Sequence, residues 1–279
     1  ELASIDARFD VLAAARIDDD DRVDTAVASD RNVDDVTVTS SYDAATELLA
    51  SVDAFHFPTG FPEVFVGENP GFDCLVGNPP WEEATLEEDE FWTRYHPGLQ
   101  REESHGGEKD EIIAELRDER TDLVEQYERE ADEIETRRQV LAGGPFPGMG
   151  AGDPDTYKGF SWRFWRLAED GGHVGVVLPR GAFIAAGSEE FRRHVMENGT
   201  VEDLTFLKNR GRWVFDGVGP RFTIGLLSFE RSQPDSDETL PLRGPYPDEQ
   251  SYQRGLESEP YELAAESATE WTGSAGFPM

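Results

Sequence analysis

The sequence predicts an α/β protein that contains the C-terminal half of a doubly wound, Rossmann-like sheet, with a long helical segment inserted into it. Three observations lead to this prediction. Residues 173–179 (HVGVVLP) form a continuous apolar run, which is typical of a parallel strand buried on both faces. Helical and strand patterns alternate between residues 157 and 231, as in doubly wound sheets. Residues 108–142 are highly charged and carry a partial apolar stripe, which indicates a long helix.

The chain is strongly acidic. Its 279 residues include 59 Asp and Glu against 25 Lys and Arg, which gives a net charge of −34. The acidic residues are spread along the whole chain, as expected for a halophile protein adapted to a high-salt cytoplasm. Disorder is disfavoured as an alternative, because 11% of the residues are aromatic. An acidic surface also disfavours nucleic-acid binding, although concentrated salt would screen the repulsion from phosphates.

Signals for export, disulfides and metal binding are lacking in the sequence. No apolar run is long enough for a signal peptide or a membrane span, so we expect a cytoplasmic protein. The single cysteine, Cys74, excludes an internal disulfide framework and a cysteine-based zinc cluster, and its place in an apolar run predicts core packing. The histidines lack the spacing of metal ligands, so no metal site is predicted.

The first part of the chain, residues 1–54, is predicted to be a helical lead-in with helices over 1–17 and 42–53. The aromatic, proline-punctuated residues 55–65 (FHFPTGFPEVF) should be extended. Residues 72–77 (FDCLVG) should form a short buried strand. This strand leads directly into two adjacent prolines.

Residues 82–150 are predicted to be an insertion between the first predicted strand and the elements that follow it. It should be irregular over 82–107 and form one long helix over 108–142, before a Gly/Pro loop over 143–155. Charged residues interrupt the heptads of the helix. A paired helical hairpin is therefore favoured over a long coiled coil.

The remaining elements alternate between helix and strand. Residues 157–169 should form an amphipathic helix that Gly171 and Gly172 stop. The later predicted elements are a helix over 187–198 with Ser188 as its cap, and strands over 201–207 and 221–231. These two strands are joined without a helix, so they should form an antiparallel pair. The polar, proline-rich residues 232–279 are predicted to be a linker.

The sequence NPPW, residues 78–81, directly follows the first predicted strand. Ligands of open α/β sheets bind at the carboxyl ends of strands. Pro79 and Pro80 fix the backbone φ angle and lack N–H donors, which leaves their carbonyl oxygens as acceptors. Asn78 adds a side-chain acceptor, and Trp81 adds a flat aromatic face. Two acceptors beside a stacking surface suit a planar ring that bears an exocyclic amino group.

NPPW after FDCLVG resembles motif IV of the S-adenosylmethionine-dependent amino-methyltransferases, (Asn/Asp/Ser)-Pro-Pro-(Tyr/Phe/Trp), whose asparagine form is typical of N6-adenine DNA methyltransferases. Residues 155–183 resemble the motif V helix and motif VI strand of the large type II restriction-modification methylases and of BREX-type phage-defence methyltransferases. Residues 211–231 resemble the late hairpin of these enzymes. The resemblance covers residues 55–231 apart from the insertion, and it predicts a methyltransferase catalytic core there.

This resemblance implies direct methyl transfer from S-adenosyl-L-methionine to N6 of an adenine that is flipped out of double-stranded DNA. It assigns catalytic roles to Asn78, Pro79, Pro80 and Trp81, a cofactor contact to Asn78, and substrate contacts to Trp81, Phe215 and Arg212. Arg221 and the RGRW stretch, residues 210–213, are candidate contacts for DNA phosphates. Subunits of a restriction or defence system are further expected partners.

Two parts of such an enzyme have no match in the sequence. The cofactor normally binds a glycine-rich turn that joins a strand to a helix, and neither residues 58–71 nor residues 143–152 have that setting. We therefore expect this motif upstream of Glu1, and a target-recognition domain beyond Met279. Two alternatives stay open. The same chemistry could act on a protein glutamine or an rRNA base, or the chain could be a non-catalytic DNA-binding remnant without a cofactor site.

Overall fold

A computed structural model shows an α/β fold built on one mixed sheet of six strands, which confirms the predicted fold class. The structure describes residues 2–30, 35–50, 52, 54–100, 106–144, 146–149, 154–234 and 239–264. The strands are β1 (Phe72–Gly77), β2 (Ala168–Pro179), β3 (Thr200–Lys208), β4 (Thr223–Glu230), β5 (Thr239–Tyr246) and β6 (Tyr261–Ala264). They lie side by side in the order β1-β2-β4-β3-β5-β6.

The directions of the strands bring several strand ends to one edge of the sheet. β1 and β2 are parallel, and β4 runs antiparallel to both β2 and β3, which confirms the predicted antiparallel pair. The carboxyl ends of β1 and β2, at Gly77 and Pro179, therefore point the same way. Lys208, the last residue of β3, pairs with Thr223, the first residue of β4, at that same edge. We call this edge the carboxyl edge of the sheet.

In the part of the chain that the structure describes, five α-helices precede β1. They are α1 (Leu2–Ala14), α2 (Thr25–Ser29), α3 (Ser40–Leu48), α4 (Phe57–Gly60) and α5 (Pro62–Phe65). The helices predicted over 1–17 and 42–53 correspond to α1 and α3. These two helices pack around a small separate core that includes Val11, Val36 and Ala45.

Residues 55–65 are not extended, contrary to the sequence prediction. They form the short helices α4 and α5, because Pro58 and Pro62 lie in the first turns of these helices, where a backbone N–H has no helical partner. The rings of Phe57, Phe61 and Phe65 gather around Phe72 of β1, with centroids 5.4 to 6.3 Å from it. Aromatic packing thus fixes this segment against the start of β1.

The described residues of the insertion include three α-helices: α6 (Glu88–Tyr95), α7 (Gly106–Glu119) and α8 (Thr121–Gly143). Residues 82–107 were predicted to be irregular, but they contain α6. The single helix predicted over 108–142 is two helices, since the backbone leaves helical geometry at Arg120, with φ of −121° and ψ of 65°. All three helices contribute to a core of their own, consisting of Phe91, Trp92, Leu99, Ile113 and Leu123. They therefore pack on one another and do not extend as a coiled coil.

The main core lies on one face of the sheet, under α9 (Thr156–Leu167), α10 (Gly181–Ile184) and α11 (Glu189–Asn198). Every second residue of β2 faces this core, beginning with Val174. The matching core residues of β3 and β4 are Leu204, Phe206, Leu227 and Phe229. Trp162 and Trp165 of α9 fill the space between helix and sheet.

One predicted helix boundary and one predicted helix cap differ in detail. The helix predicted over 157–169 ends at Leu167, before Gly171, because β2 already begins at Ala168. α11 begins after Ser188 as predicted, but the Ser188 side chain makes no capping hydrogen bond. The Ser188 hydroxyl lies instead 3.5 Å from the Tyr157 hydroxyl in the core.

The second face of β1 is open and that of β2 is only partly covered, which contradicts three predictions. Cys74 is exposed and not packed in the core, and Val76 is 82% exposed. The strand over 72–77 is therefore not buried, and the run over 173–179 is buried on one face only. The physical reason is that β1 pairs only with β2 and that no element in the described ranges covers Cys74 or Val76.

The sequence predicted a linker over residues 232–279. In the structure, part of this segment is instead a folded extension of the sheet. After β5 come α12 (Glu249–Leu256) and β6. Leu240 of β5 and Leu263 of β6 are buried in the main core. The remainder of the predicted linker, residues 235–238 and 265–279, lies outside the described residues. Among the helices that the structure describes, none is both long enough and apolar enough to cross a bilayer.

Candidate functional site

The NPPW turn begins where β1 ends, at the carboxyl edge of the sheet. The Asn78 side chain is exposed, and no hydrogen bond restrains it within the described part of the chain. Pro79 is buried, yet neither its carbonyl oxygen nor that of Pro80 accepts a backbone hydrogen bond from any described residue. The turn therefore has an exposed side-chain acceptor at Asn78, followed by two backbone carbonyls that accept no backbone hydrogen bond from described residues.

The end of the turn is tied to the start of α9. The Glu82 carbonyl oxygen accepts two hydrogen bonds from Thr156, one from its backbone N–H at 3.1 Å and one from its hydroxyl at 2.9 Å. Glu83 also forms a β-bridge with Asp155. These contacts hold the turn in place although a long insertion separates it from α9 along the chain.

Trp81 is half-buried and fixed at two points. Its indole N–H donates to the Val177 carbonyl oxygen of β2 at 3.3 Å. Its ring packs against the main core and meets the Phe215 ring edge-on, with centroids 5.7 Å apart and planes at 83°. The two rings together form a corner, which we call the aromatic corner. Such a corner offers one flat face and one edge to a planar ligand.

Phe215 lies on the loop that joins β3 to β4, residues 209–222. Asn209, at the start of this loop, is fully buried and hydrogen-bonds to the backbone of Val214, Phe215 and Val218. Sequence reasoning selected Phe215 but missed Asn209. The signal that could have found it is an asparagine placed between a strand and a glycine-containing turn, where its amide can bond to local backbone groups.

Basic side chains without carboxylate partners collect at the carboxyl edge. At this edge, five exposed basic residues form no ion pair with a described carboxylate, namely Arg180, Lys208, Arg210, Arg212 and Arg221. Their backbones are close, because Arg180 N–H donates to the Thr223 carbonyl at 3.1 Å and Asn209 N–H donates to the Phe222 carbonyl at 3.0 Å. The chain as a whole has a net charge of −34, so these five basic residues differ in sign from most of its charged surface. We call them the basic patch.

Arg212 belongs to the same loop as Phe215 and has an unusual backbone. Its φ of 61° places it in the left-handed region, directly after Gly211 with φ of 69°. Left-handed geometry at a non-glycine residue is strained, and such strain is often associated with function. The structure thus brings Asn78, Trp81 and Phe215 to one edge of the sheet, with Arg212 on the loop that bears Phe215.

The described residues do not supply a complete cofactor cradle. Binding of a nucleoside cofactor to an α/β sheet normally uses a glycine-rich turn between a strand and a helix. In the described ranges, no glycine-rich turn makes such a connection. The turn after β5, which leads into α12, contains Pro247 and Asp248 and no glycine. The sequence predicts a cofactor contact at Asn78, and the described residues contain no glycine-rich turn that would complete a cofactor site.

No family model and no curated protein matches the chain. Among solved structures, it is similar to a modification subunit of a putative type I restriction enzyme from Vibrio vulnificus YJ016, with a TM-score of 0.40, 15% identity, and coverage of 71% of this chain and 34% of that one. It is also similar to a structure of complex assembly in a type I R-M system, with a TM-score of 0.41, 12% identity, and coverage of 95% and 50%. For the EcoKI M protein of a type I restriction enzyme, the TM-score is 0.30 and the identity 13%, with coverage of 88% and 62%.

The chain spans less than two thirds of the length of each of these structures, at 34%, 50% and 62%. The TM-scores and identities are too low to transfer an activity from them. The function is therefore derived from the residues of the site.

Proposed function

We propose that this chain is the catalytic part of a site-specific DNA methyltransferase that methylates the exocyclic N6 amino group of adenine, in a restriction-modification or phage-defence system. One observation carries the proposal. Exposed Asn78 and the Pro79 carbonyl, neither engaged in hydrogen bonds to described residues, lie in the same turn as Trp81, which forms the aromatic corner with Phe215. This set matches the two needs of a planar amino-bearing base, which are N–H acceptors and a stacking surface.

The acceptors explain how the amino group becomes reactive. The lone pair of an adenine amino group is delocalised into the ring, which makes the nitrogen a poor nucleophile. When Asn78 Oδ1 and the Pro79 carbonyl accept its two N–H bonds, the nitrogen is drawn towards tetrahedral geometry and its lone pair is localised. Bound S-adenosyl-L-methionine would supply the methyl group from its sulfonium centre. Fixed acceptors contribute through positioning and through electrostatics that need no reorganisation, and no covalent enzyme intermediate is required.

The aromatic corner supports the same substrate. An adenine within a duplex cannot reach an enzyme site, so it must be flipped out of the stack. Stacking on an aromatic side chain then stabilises the extruded base by about 1–3 kcal/mol. The hydrogen bond from the Trp81 indole to Val177 keeps this ring in place before the base arrives.

The basic patch supports a nucleic acid as the substrate. Arg180, Lys208, Arg212 and Arg221 are exposed at the edge of the sheet that carries the turn, and they form no ion pair with any described carboxylate. Phosphate contacts of this kind position a duplex without reading its sequence. The patch therefore favours DNA over a protein glutamine as the methyl acceptor.

The test is single-turnover transfer of labelled methyl groups to DNA by the full-length protein that carries Asn78→Ala. Loss of one of the two acceptors should slow transfer by about 10²–10³-fold, as removal of an oxyanion-hole donor does. Cofactor affinity, measured separately, should stay nearly unchanged.

Asn69→Ala is the matched control, because Asn69 is an exposed asparagine that precedes β1 and donates to the Asp170 carbonyl at 3.2 Å. This variant should transfer methyl groups normally. Near-wild-type transfer by Asn78→Ala would reject the proposed function. If the protein transfers methyl groups to rRNA or to peptide glutamine but not to DNA, the proposed chemistry is supported and the proposed substrate is wrong.

A further inference from the structure

Asn209 is a fully buried polar residue at the start of the loop that carries Phe215. It follows directly after β3 and precedes a 3-10 turn at Arg210–Arg212. Its own backbone is anchored, since its N–H donates to the Phe222 carbonyl at 3.0 Å and its carbonyl accepts from Arg212 N–H at 2.9 Å. A buried amide is stable only when its hydrogen bonds are satisfied, so its partners indicate what it holds in place.

All of the side-chain partners of Asn209 belong to this one loop. Its Nδ2 donates to the carbonyl oxygens of Phe215 and Val218, both at 2.9 Å. Its Oδ1 accepts from the backbone N–H groups of Val214 and Phe215, both at 3.1 Å. The two donors and the two acceptor sites of a single amide are therefore all used. The part of the loop that follows the 3-10 turn gains from this side chain the hydrogen bonds that a strand or helix would provide.

Phe215 is held on both sides by the same amide, because its N–H and its carbonyl oxygen each bond to Asn209. Its ring then stands edge-on to Trp81, and Trp81 donates to Val177 of β2. An unbroken series of contacts thus runs from Asn209 through Phe215 to Trp81 and back to the sheet. None of the hydrogen bonds of Asn209 reaches a residue of the NPPW turn, and the ring contact of Phe215 with Trp81 links the two.

We propose that Asn209 is a positioning residue that sets the aromatic corner, by fixing the Phe215 backbone so that its ring defines the space beside Trp81. This inference rests on the proposed function, in which the corner receives a flipped base. The same anchoring would hold the basic side chains of Arg210 and Arg212, which lie between Asn209 and Phe215 in the chain, at the carboxyl edge. Loss of the amide should leave the sheet intact and release Phe215 from Trp81.

The test uses the chain labelled with 5-fluorotryptophan and recorded by ¹⁹F NMR in concentrated KCl. The chain has six tryptophans, and the Trp81 signal is the one that disappears in Trp81→Phe. Asn209→Asp keeps the size of the side chain but turns a carboxylate towards the carbonyl oxygens of Phe215 and Val218. Asn209→Ser removes the amide without adding charge. Phe215→Leu provides the reference shift for a corner that has lost its second ring.

We expect both Asn209 variants to move the Trp81 signal in the same direction as Phe215→Leu, and we expect no further shift when Asn209→Ser and Phe215→Leu are combined. Asn198→Asp is the matched control. Asn198 ends α11 just before β3 begins, and its amide bonds only within its own helix, to the His194 carbonyl at 3.0 Å and near the His194 ring at 3.4 Å. This variant should leave the Trp81 signal where it is.

An unchanged Trp81 signal in folded Asn209→Asp and Asn209→Ser would overturn the proposal. Failure of both variants to fold while Phe215→Leu folds would overturn it as well, because Asn209 would then hold the fold and not the corner. The measurement needs neither DNA nor cofactor. A shift in a protein that proves to have no methyl-transfer activity would support the link from Asn209 to Trp81 and reject only the proposed function.

Discussion

The ring of Phe215 stands edge-on to the ring of Trp81, with planes at 83° and centroids 5.7 Å apart. Trp81 follows β1, and Phe215 lies between β3 and β4, so strands from both halves of the described sheet build this contact. Neither ring alone encloses a planar ligand. Together they form a corner next to the turn that carries the exposed Asn78 side chain. We expect an extruded base to bind at this corner.

Replacement of Trp81 separates the binding of the base from the chemistry. Trp81→Ala removes the stacking face and should weaken DNA capture by about 1–3 kcal/mol, with a smaller effect on the transfer step. Trp81→Phe retains a flat ring but loses the N–H that donates to Val177, so it should weaken capture only slightly. DNA affinity and single-turnover rate, measured at saturating DNA, distinguish the two effects. A Trp81→Ala variant with normal affinity and a slow transfer step would contradict the stacking role.

The basic patch predicts a loss of affinity that does not depend on DNA sequence. Arg212→Gln combined with Arg221→Gln removes two cations that face no described carboxylate, so binding should weaken on every duplex and the slope of log K against log salt should become shallower by about 1–2. Fluorescence anisotropy in a KCl series measures both quantities. Arg193→Gln is the control, because Arg193 is paired with Glu189 on α11. An equal loss in the control would assign the effect to net charge alone.

The net charge of −34 predicts that the chain needs salt to fold. The Debye length falls from about 10 Å at ~0.1 M salt to a few Å at molar concentrations, so repulsion among surface carboxylates is strong only in dilute buffer. The melting temperature from circular dichroism should therefore rise clearly between ~0.1 M and ~3 M KCl. The same cooperative melt at both concentrations would refute adaptation to high salt.

His194 predicts a loss of stability on mild acidification. Its ring lies between Trp162 and Trp165, with centroids at 5.0 and 4.7 Å. Burial lowers the pKa of His194, the charges of Arg166 and Arg231 lower it further, and Glu197 opposes them. The unfolded chain then binds the proton more readily than the folded one. Stability present above the ordinary histidine pKa of about 6.5 is therefore lost as the pH falls below it.

His194→Gln should remove the pH-dependent part of the stability that His194 contributes. The melting temperature of this variant, measured at constant KCl, should therefore change less between about pH 7 and pH 5.5 than that of the wild type. His173→Gln is the control, since His173 is an exposed histidine on β2 that faces Glu202 at 3.0 Å. This variant should not reproduce the smaller change. If His194→Gln loses stability on acidification as steeply as the wild type does, carboxylates and not His194 cause the loss of stability in this pH range.

Several elements could be predicted because their patterns are local. The strand over 72–77 has the predicted bounds, since a short apolar run ends at two prolines that cannot continue the ladder. α9 and α11 were visible from their amphipathic spacing, and β3 and β4 from apolar runs joined by a loop too irregular for a helix. Other local patterns in the sequence led to wrong predictions. Proline favoured an extended chain over 55–65, where it starts two short helices, and polar composition hid β5 and β6.

The sequence by itself determined the NPPW turn and the strand before it, because the conformations of proline and of a short apolar run depend mainly on neighbouring residues. Only the tertiary structure decided that Cys74 and Val76 are exposed, since burial depends on which elements cover a strand and not on its own residues. The tertiary structure also decided the partners of the turn. The contact of Phe215 with Trp81 depends on the order of the strands, and the hydrogen bonds of Asn209 depend on the path of a loop, neither of which leaves a periodic signal in the sequence.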